Sequence, residues 1–339
     1  MSQSTVQSVS EPDPILVVSD LNVSLASGKR MTPILREVSF ALRPGEILGI
    51  VGESGSGKSL TASAIMGLLE PPVRIVSGAV AFKGRDLAAL DEKAVRAIRG
   101  NEIAMVFQDP AMSLNPLLRI ETQMVESIVA HDRGCSRHAA RERARAALET
   151  VGVPAAAKRL RAYPHELSGG MRQRVSIAIA MLHSPAVIIA DEPTTALDVT
   201  IQAQILDEMT QLCRKNGTAL IWISHDLSLL SSFADRICVM YAGRVIESGP
   251  CGEVIGAPRH PYSRGLILSV PAMARAGKDI EPIPGYPPRV GMVPSGCAFR
   301  PRCHRASPAC AVQPPLQTVA SQQSAACFHP FDDKLQVPA

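Results

Sequence analysis

Through the first 255 or so residues, short β-branched runs alternate with longer segments whose apolar positions recur at helical spacing. Four runs read as strands: Ile47 to Val51, Ile103 to Phe107, Val187 to Ala190 and Ala219 to Ser224. Their alternation with helix patterns predicts an α/β fold around a buried, largely parallel sheet. Ile201, Ile205, Met209 and Leu212 recur at helical spacing and predict a helix lying against that sheet. From about 109 to 177 no strand pattern occurs and Ala and Arg dominate, so a helical insertion is expected there. Beyond about 255, Pro258, Pro261, Pro271, Pro282, Pro284, Pro287 and Pro288 forbid long helices and central strands. The expected organisation is a flexible tail over 1–13, an α/β domain over 14–255 containing the helical part at 109–177, and a loop-rich C-terminal region over 256–339.

Composition narrows the possibilities. The 339 residues allow about two domains. With 19% charged and 46% hydrophobic residues the chain is too apolar to be mainly disordered. A net charge of +4 leaves no large electrostatic footprint for nucleic acid, and aromatic residues at 4% are too thinly spread for base-stacking platforms. No apolar stretch reaches the length of a membrane span, so any work at a membrane is that of a peripheral subunit. The start MSQSTVQSVSEPDP lacks the basic and apolar regions of a secretory signal, and a cytosolic location with reduced thiols is expected.

The chemistry is carried by motifs. Gly52-Glu53-Ser54-Gly55-Ser56-Gly57-Lys58-Ser59 matches G-x-x-x-x-G-K-[ST] between a strand and a helix pattern. Its glycines let backbone N–H groups wrap phosphates, Lys58 is expected to reach the β- and γ-phosphates, and Ser59 to hold Mg²⁺. Further along, an apolar strand ends in Asp191-Glu192; Asp191 is placed for the Mg²⁺ shell and Glu192 to polarise an attacking water.

Leu167-Ser168-Gly169-Gly170-Met171-Arg172-Gln173-Arg174, lying between these two motifs, resembles the signature of the ATP-binding cassette (ABC) ATPases. Gln108 in VFQDP, Asp198 in TTALD and His225 in WISHD are similar to that family's glutamine loop, D-loop and switch histidine. The resemblance implies a P-loop NTPase fold of ABC type, ATP and Mg²⁺ as ligands, and two subunits closing head to tail. ATP on the phosphate loop of one subunit then meets Ser168, Gly169 and Gly170 of the other. It implies Glu192 as general base, His225 as the group that holds the γ-phosphate and water in line, and Gln108 as a link between Mg²⁺ and a membrane partner. One departure is that no aromatic residue occurs before Phe40 to stack on adenine.

The C-terminal region resembles that of the dipeptide, oligopeptide and nickel permease ATPases through Arg259-His-Pro-Tyr262, Pro282-Ile-Pro-Gly285 and Cys297-Ala-Phe-Arg-Pro-Arg302-Cys303. That branch implies two transmembrane permease subunits, a second ATPase subunit (a paralogue slightly favoured over a second copy of this chain), an extracytoplasmic solute-binding protein, import as the direction, and a peripheral position on the cytoplasmic face of the inner membrane. A soluble ABC ATPase acting on ribosome or DNA is the alternative. Four of the eight cysteines, Cys297, Cys303, Cys310 and Cys327, have the spacing C-x5-C-x6-C-x16-C, which fits neither the common ferredoxin runs nor a paired zinc motif. Four thiolates suit an iron-sulfur cluster or zinc; the resemblance implies a [4Fe-4S] cluster, with Arg300, Arg302 and Arg305 near enough to offset its charge. Arg137, Arg141 and Arg145, spaced by four, read as a solvated helix face, with contact to lipid head groups as the alternative.

Overall fold

The computed structural model describes residues 12–194, 198–270 and 282–335; Thr195 to Leu197 of the TTALD stretch and most of the expected N-terminal tail lie outside them. Strands β1 (Leu16–Ser27) and β2 (Arg30–Leu42) form an antiparallel hairpin that leads into β3 (Ile47–Val51) and, after a glycine-rich loop, α1 (Lys58–Ile65). Strands β4 (Val73–Phe82) and β5 (Arg85–Asp86) complete an antiparallel sheet in the order β2-β1-β4-β5. Helix α2 (Glu92–Ile98), capped by the Asp91 carboxylate accepting from the Ala94 N–H, leads to β6 (Ile103–Val106). Between β6 and β7 (Val187–Asp191) the described elements are helical: α3 (Ile120–His131), α4 (Arg137–Thr150), α5 (Ala156–Arg159) and α6 (Gly169–Met181). The chain continues through α7 (Val199–Asn216), β8 (Ala219–Ser224), α8 (Leu227–Ser231), β9 (Arg236–Tyr241), β10 (Arg244–Pro250), α9 (Cys251–Gly256), α10 (Pro261–Leu268) and a short hairpin, β11 (Gln317–Ala320) and β12 (Gln323–Ala325).

The larger sheet runs β11-β12-β10-β9-β3-β8-β7-β6, parallel from β9 to β6 and antiparallel beyond β9. Side chains of a strand alternate between faces, and here the alternation divides the interior into two cores. Ile47, Val51, Ile188, Ala190, Leu220 and Trp222 face the helices, whereas Leu48, Ile50, Val187, Ile189, Ile221 and Ile223 face the antiparallel sheet and α1. Cover on both sides is why β3, β7 and β8 are buried at every position and apolar at nearly all. Helix α7 buries Ile205, Met209 and Cys213 on one face and is capped by Asp198 at its start and by left-handed Gly217 at its end.

Of the arginines read as a solvated face, Arg141 pairs with Glu121, and Arg145 with Glu142 and Glu149, on partly exposed surface. The prolines of the C-terminal region sit where chain geometry permits them: Pro261 opens α10, and the region's strands are short and added at the edge of the sheet. One buried carboxylate fastens this region to the core. Glu247 of β10 accepts from the N–H groups of Arg259 (2.7 Å) and His260 (2.8 Å) and from the Gln323 amide (2.8 Å). Burial pushes its pKa up, and those three donors oppose the rise.

The turn between β9 and β10 leaves no room for a side chain. Gly243 has φ 81°, its N–H donates to Ser56 O (2.9 Å), its carbonyl accepts from Arg36 N–H (2.8 Å), and an added Cβ would lie 1.8 Å from the Ile34 carbonyl oxygen. Gly243→Ala is therefore expected to cost about 2 kcal/mol or more through strain and backbone displacement. A urea melt of the variant against the parent chain checks this.

Candidate active site

The glycine-rich segment between β3 and α1 forms a loop with no room for a side chain at two of its positions. Gly52 takes φ 153°, and a Cβ there would lie 2.2 Å from the Met240 carbonyl oxygen; Gly57 takes φ 105°, with Leu35 Cδ2 at 2.6 Å from the same imagined atom. Gly55 takes φ 78° in open space. Lys58 opens α1, and its ammonium folds back to donate to the carbonyls of Gly52 (2.7 Å) and Glu53 (3.1 Å). Burial lowers the Lys58 pKa, against the opposing pull of Glu192, Asp191 and Glu53. Among the described residues the buried Ser56 hydroxyl has no hydrogen-bond partner.

Strand β7 brings its acidic end to the same place. The Ser59 hydroxyl donates to Asp191 Oδ1 at 2.9 Å. Burial raises the Asp191 pKa, the Ser59 hydrogen bond opposes that rise, and neighbouring Glu192 adds to it. Glu192 leaves the strand with φ 44°, an uncommon conformation for a residue with a side chain, its N–H donating to Ile223 O at 3.0 Å. Its Oε2 accepts from the Gln108 amide at 3.2 Å and lies 3.2 Å from His225 Nδ1. Gln108 follows β6 and His225 follows β8, so the C-terminal ends of three neighbouring parallel strands converge on one carboxylate. This is the rim at which open α/β sheets bind ligands.

Ser54, Gly55, Gly57, Lys58, Ser59, Gln108, Glu192 and His225 line an open cleft of about 1120 Å³, with Ile34 and Val290 on its flank. The donor set fits a nucleoside triphosphate with Mg²⁺: backbone N–H groups and an ammonium for phosphates, and hydroxyl, carboxylate and amide oxygens from Ser59, Asp191 and Gln108 for a hard cation. Apolar Ile34 and Val290 stand at the cleft, Val290 coming from the C-terminal region. Ser168, Gly169, Gly170 and Asp198 do not line this cleft. Ser168 caps α6 by accepting from the Met171 N–H (3.3 Å), Gly170 packs where a Cβ would meet Ile201 at 3.0 Å, and Asp198 caps α7. Glu53 is turned the other way, its carboxylate gripped by Arg302 of the C-terminal region. No sequence signal marked that contact.

The two parts of the chain match separate family models: ABC transporter over residues 35–195, and oligopeptide/dipeptide transporter, C-terminal region, over residues 246–310. The chain is 44% identical over 335 residues to the oligopeptide transport ATP-binding protein OppD of Salmonella typhimurium, covering 99% of each. The chain belongs to the ABC transporter ATP-binding proteins. It is 43% identical over 320 residues to the dipeptide transport ATP-binding protein DppD of Escherichia coli, covering 94% of this chain and 98% of that one. Among solved structures, the ATP-binding cassette MJ0796, determined as a dimer bound to ADP and Pi, superposes with a TM-score of 0.63 at 28% identity, over 70% of this chain and 98% of that one. The fold is thus the ABC-type P-loop ATPase fold, and the chain is an ATPase.

The four C-terminal cysteines come together. Cys297, Cys303, Cys310 and Cys327 line one small pocket with His260, Phe299, Arg300, Arg305 and His329. The Cys297 N–H donates to Cys310 O at 3.0 Å, and the His329 N–H donates to Cys327 Sγ at 3.3 Å. Burial raises the pKa of Cys297 and Cys303, and pushes that of Cys327 up to about 11, with the neighbouring thiols adding to each. Among the described residues no group of three or more His, Cys, Asp or Glu side chains is arranged as a metal cage. The expected iron-sulfur or zinc site is therefore present only as a gathering of thiols. Of the arginines expected to offset its charge, Arg300 and Arg305 line the pocket, whereas the Arg302 guanidinium points away to Glu53.

Proposed function

We propose that this chain is the ATP-hydrolysing subunit of a bacterial importer, coupling ATP binding and hydrolysis to uptake of di- or oligopeptides or a related small solute through partner permeases. The observation that carries this reading is the occurrence, in one chain, of the Lys58–Ser59–Asp191–Glu192 cleft and a C-terminal region of the oligopeptide/dipeptide transporter type. The chain also matches an oligopeptide and a dipeptide transport ATP-binding protein over nearly their full length. The domain reading is 14–255 for ATP hydrolysis and 256–339 for the transporter-specific region.

In this reading the loop Gly52 to Gly57 cradles the phosphates and Lys58 leaves its two carbonyls for the β- and γ-phosphates. Ser59, Asp191 and Gln108 hold Mg²⁺, which supplies charge neutralisation to the transferring phosphoryl group. Glu192 takes the proton of the attacking water, and His225, already 3.2 Å from that carboxylate, keeps water and γ-phosphate in line. Ser168, Gly169, Gly170 and Asp198, which stand outside their own cleft, face the ATP of a second subunit, a paralogue in preference to a second copy of this chain. The partners are that subunit, two transmembrane permeases and an extracytoplasmic solute-binding protein. No described helix is long and apolar enough to cross a membrane, which fits a peripheral position on the cytoplasmic face of the inner membrane.

We further propose that Cys297, Cys303, Cys310 and Cys327 hold a [4Fe-4S] cluster rather than zinc. What supports a cluster is four thiols gathered around one pocket, with Arg300 and Arg305 on its lining to offset the negative charge of an iron-sulfur group. Such a cluster would staple a proline-rich segment to the core.

The function is tested by gentle detergent purification of the tagged chain from its host, with every co-purifying protein identified by mass spectrometry. Two polytopic permeases and a solute-binding protein are expected. Ribosomal or DNA-repair proteins without a permease would overturn the transport reading and leave the ATPase chemistry in place.

A further inference from the structure

The phosphate loop is held from outside by the C-terminal region. Arg302 is buried, with its side chain only 6% exposed, and its guanidinium makes a two-pronged pair with the Glu53 carboxylate, at 2.7 Å to Oε2 and 3.0 Å to Oε1. The remaining donors are fixed as well: Nε to Pro284 O at 2.8 Å, and the other nitrogens to Gly285 O at 3.4 Å and the Tyr241 hydroxyl at 3.3 Å. The guanidinium also lies over the rings of Tyr241 and Phe299. The backbone of Glu53 is gripped too, its N–H donating to the Tyr262 hydroxyl at 2.8 Å, and Tyr262 is fully buried in α10. A planar fork satisfied at every edge is rigid, and a two-pronged Arg–carboxylate pair sets both position and direction.

Charge gives this contact its importance. Glu53 is the second residue of a loop whose task is to receive anionic phosphates, and its main-chain carbonyl already bonds the Lys58 ammonium. An unpaired carboxylate there would repel the phosphates and draw Lys58 away from them. Resting on the ATPase reading above, we infer that Arg302 is a positioning residue for ATP binding. It neutralises Glu53 and holds the first turn of the phosphate loop in the shape that receives Mg-ATP, so that the C-terminal region supplies part of the nucleotide site without touching nucleotide. Arg302 lies in the tight turn Arg300–Arg302 between Cys297 and Cys303, so the thiol-lined segment fixes the base from which it reaches the loop.

The test is the Kd for Mg-ATP of the full-length chain, measured by calorimetry for the parent, Arg302→Met, Glu53→Gln and the double variant, each checked for folding by thermal melting. Arg302→Met is expected to weaken binding about tenfold or more, because it leaves a carboxylate unpaired and free to swing within the phosphate loop. Glu53→Gln added to Arg302→Met removes that stranded charge and is expected to recover most of the affinity, a rescue that a merely structural role for Arg302 would not give. Arg302→Lys keeps the charge and most of the packing, and serves if Arg302→Met does not fold; a loss of only a few-fold is expected. Unchanged affinity in Arg302→Met, a double variant as weak as Arg302→Met, or a lysine variant that loses nearly all binding while still folded would each overturn the inference while leaving the ATPase reading intact. Failure of the parent chain itself to bind Mg-ATP would overturn both.

Discussion

Glu192→Gln is expected to bind Mg-ATP about as well as the parent chain yet hydrolyse it 10² to 10⁴ times more slowly, the range by which a positioned general base accelerates a proton transfer. The substitution is nearly isosteric. The amide can still sit between Gln108 and His225, each 3.2 Å from Oε2 in the parent, so the cleft keeps its shape and loses only a proton acceptor. Ser59, Asp191 and Lys58 are untouched, which is why binding persists. Single-turnover hydrolysis and equilibrium binding, measured side by side in the assembled transporter, separate the two effects. Near-parental turnover in this variant would remove Glu192 from the base's role and point to a water positioned by His225 alone.

The second large effect is all or none. Purified under nitrogen, the chain is expected to carry about four iron and four acid-labile sulfide per molecule, and Cys310→Ser to lose most of both. Cys310 is the informative position because it is buried, lines the shared pocket, and its carbonyl accepts from the Cys297 N–H. Metal and sulfide analysis of parent and variant decides the matter. One zinc per chain without sulfide would replace the cluster with a tetrahedral ion, and absence of both metals from the parent would leave four packed thiols.

How much of this could be read in advance follows from where burial is two-sided. The strands β3 and β8 begin and end where their apolar runs do, and β6 and β7 differ from theirs by one residue, because cover on both faces writes an uninterrupted signal. The antiparallel sheet left no such trace. In β1 the burial alternation breaks where the pairing shifts register between Val18 and Val23, so neither a strict period of two nor a continuous run marks it. In the cleft, Lys58, Ser59, Asp191, Glu192, Gln108 and His225 were legible because each stands at the end of a readable strand or in a motif with fixed spacing. The Arg302–Glu53 pair joins positions 249 residues apart, and nothing in a segment with arginines at 300, 302 and 305 distinguishes the one that turns inward. Composition places positive charge in that neighbourhood, and only packing assigns it.

The C-terminal hairpin continues the central sheet past β10, pairing at Glu247 with Ala325 and at Ser248 with Ser324, and then stops at β11, a four-residue strand preceded by Pro314 and Pro315. The opposite edge, β6, is also four residues long. Neither margin offers a long, straight row of unsatisfied amides to another chain, so lateral polymerisation by strand addition is suppressed at both ends. Association through the central sheet is thereby left to its loop-built rim, where geometry and charge can select a partner.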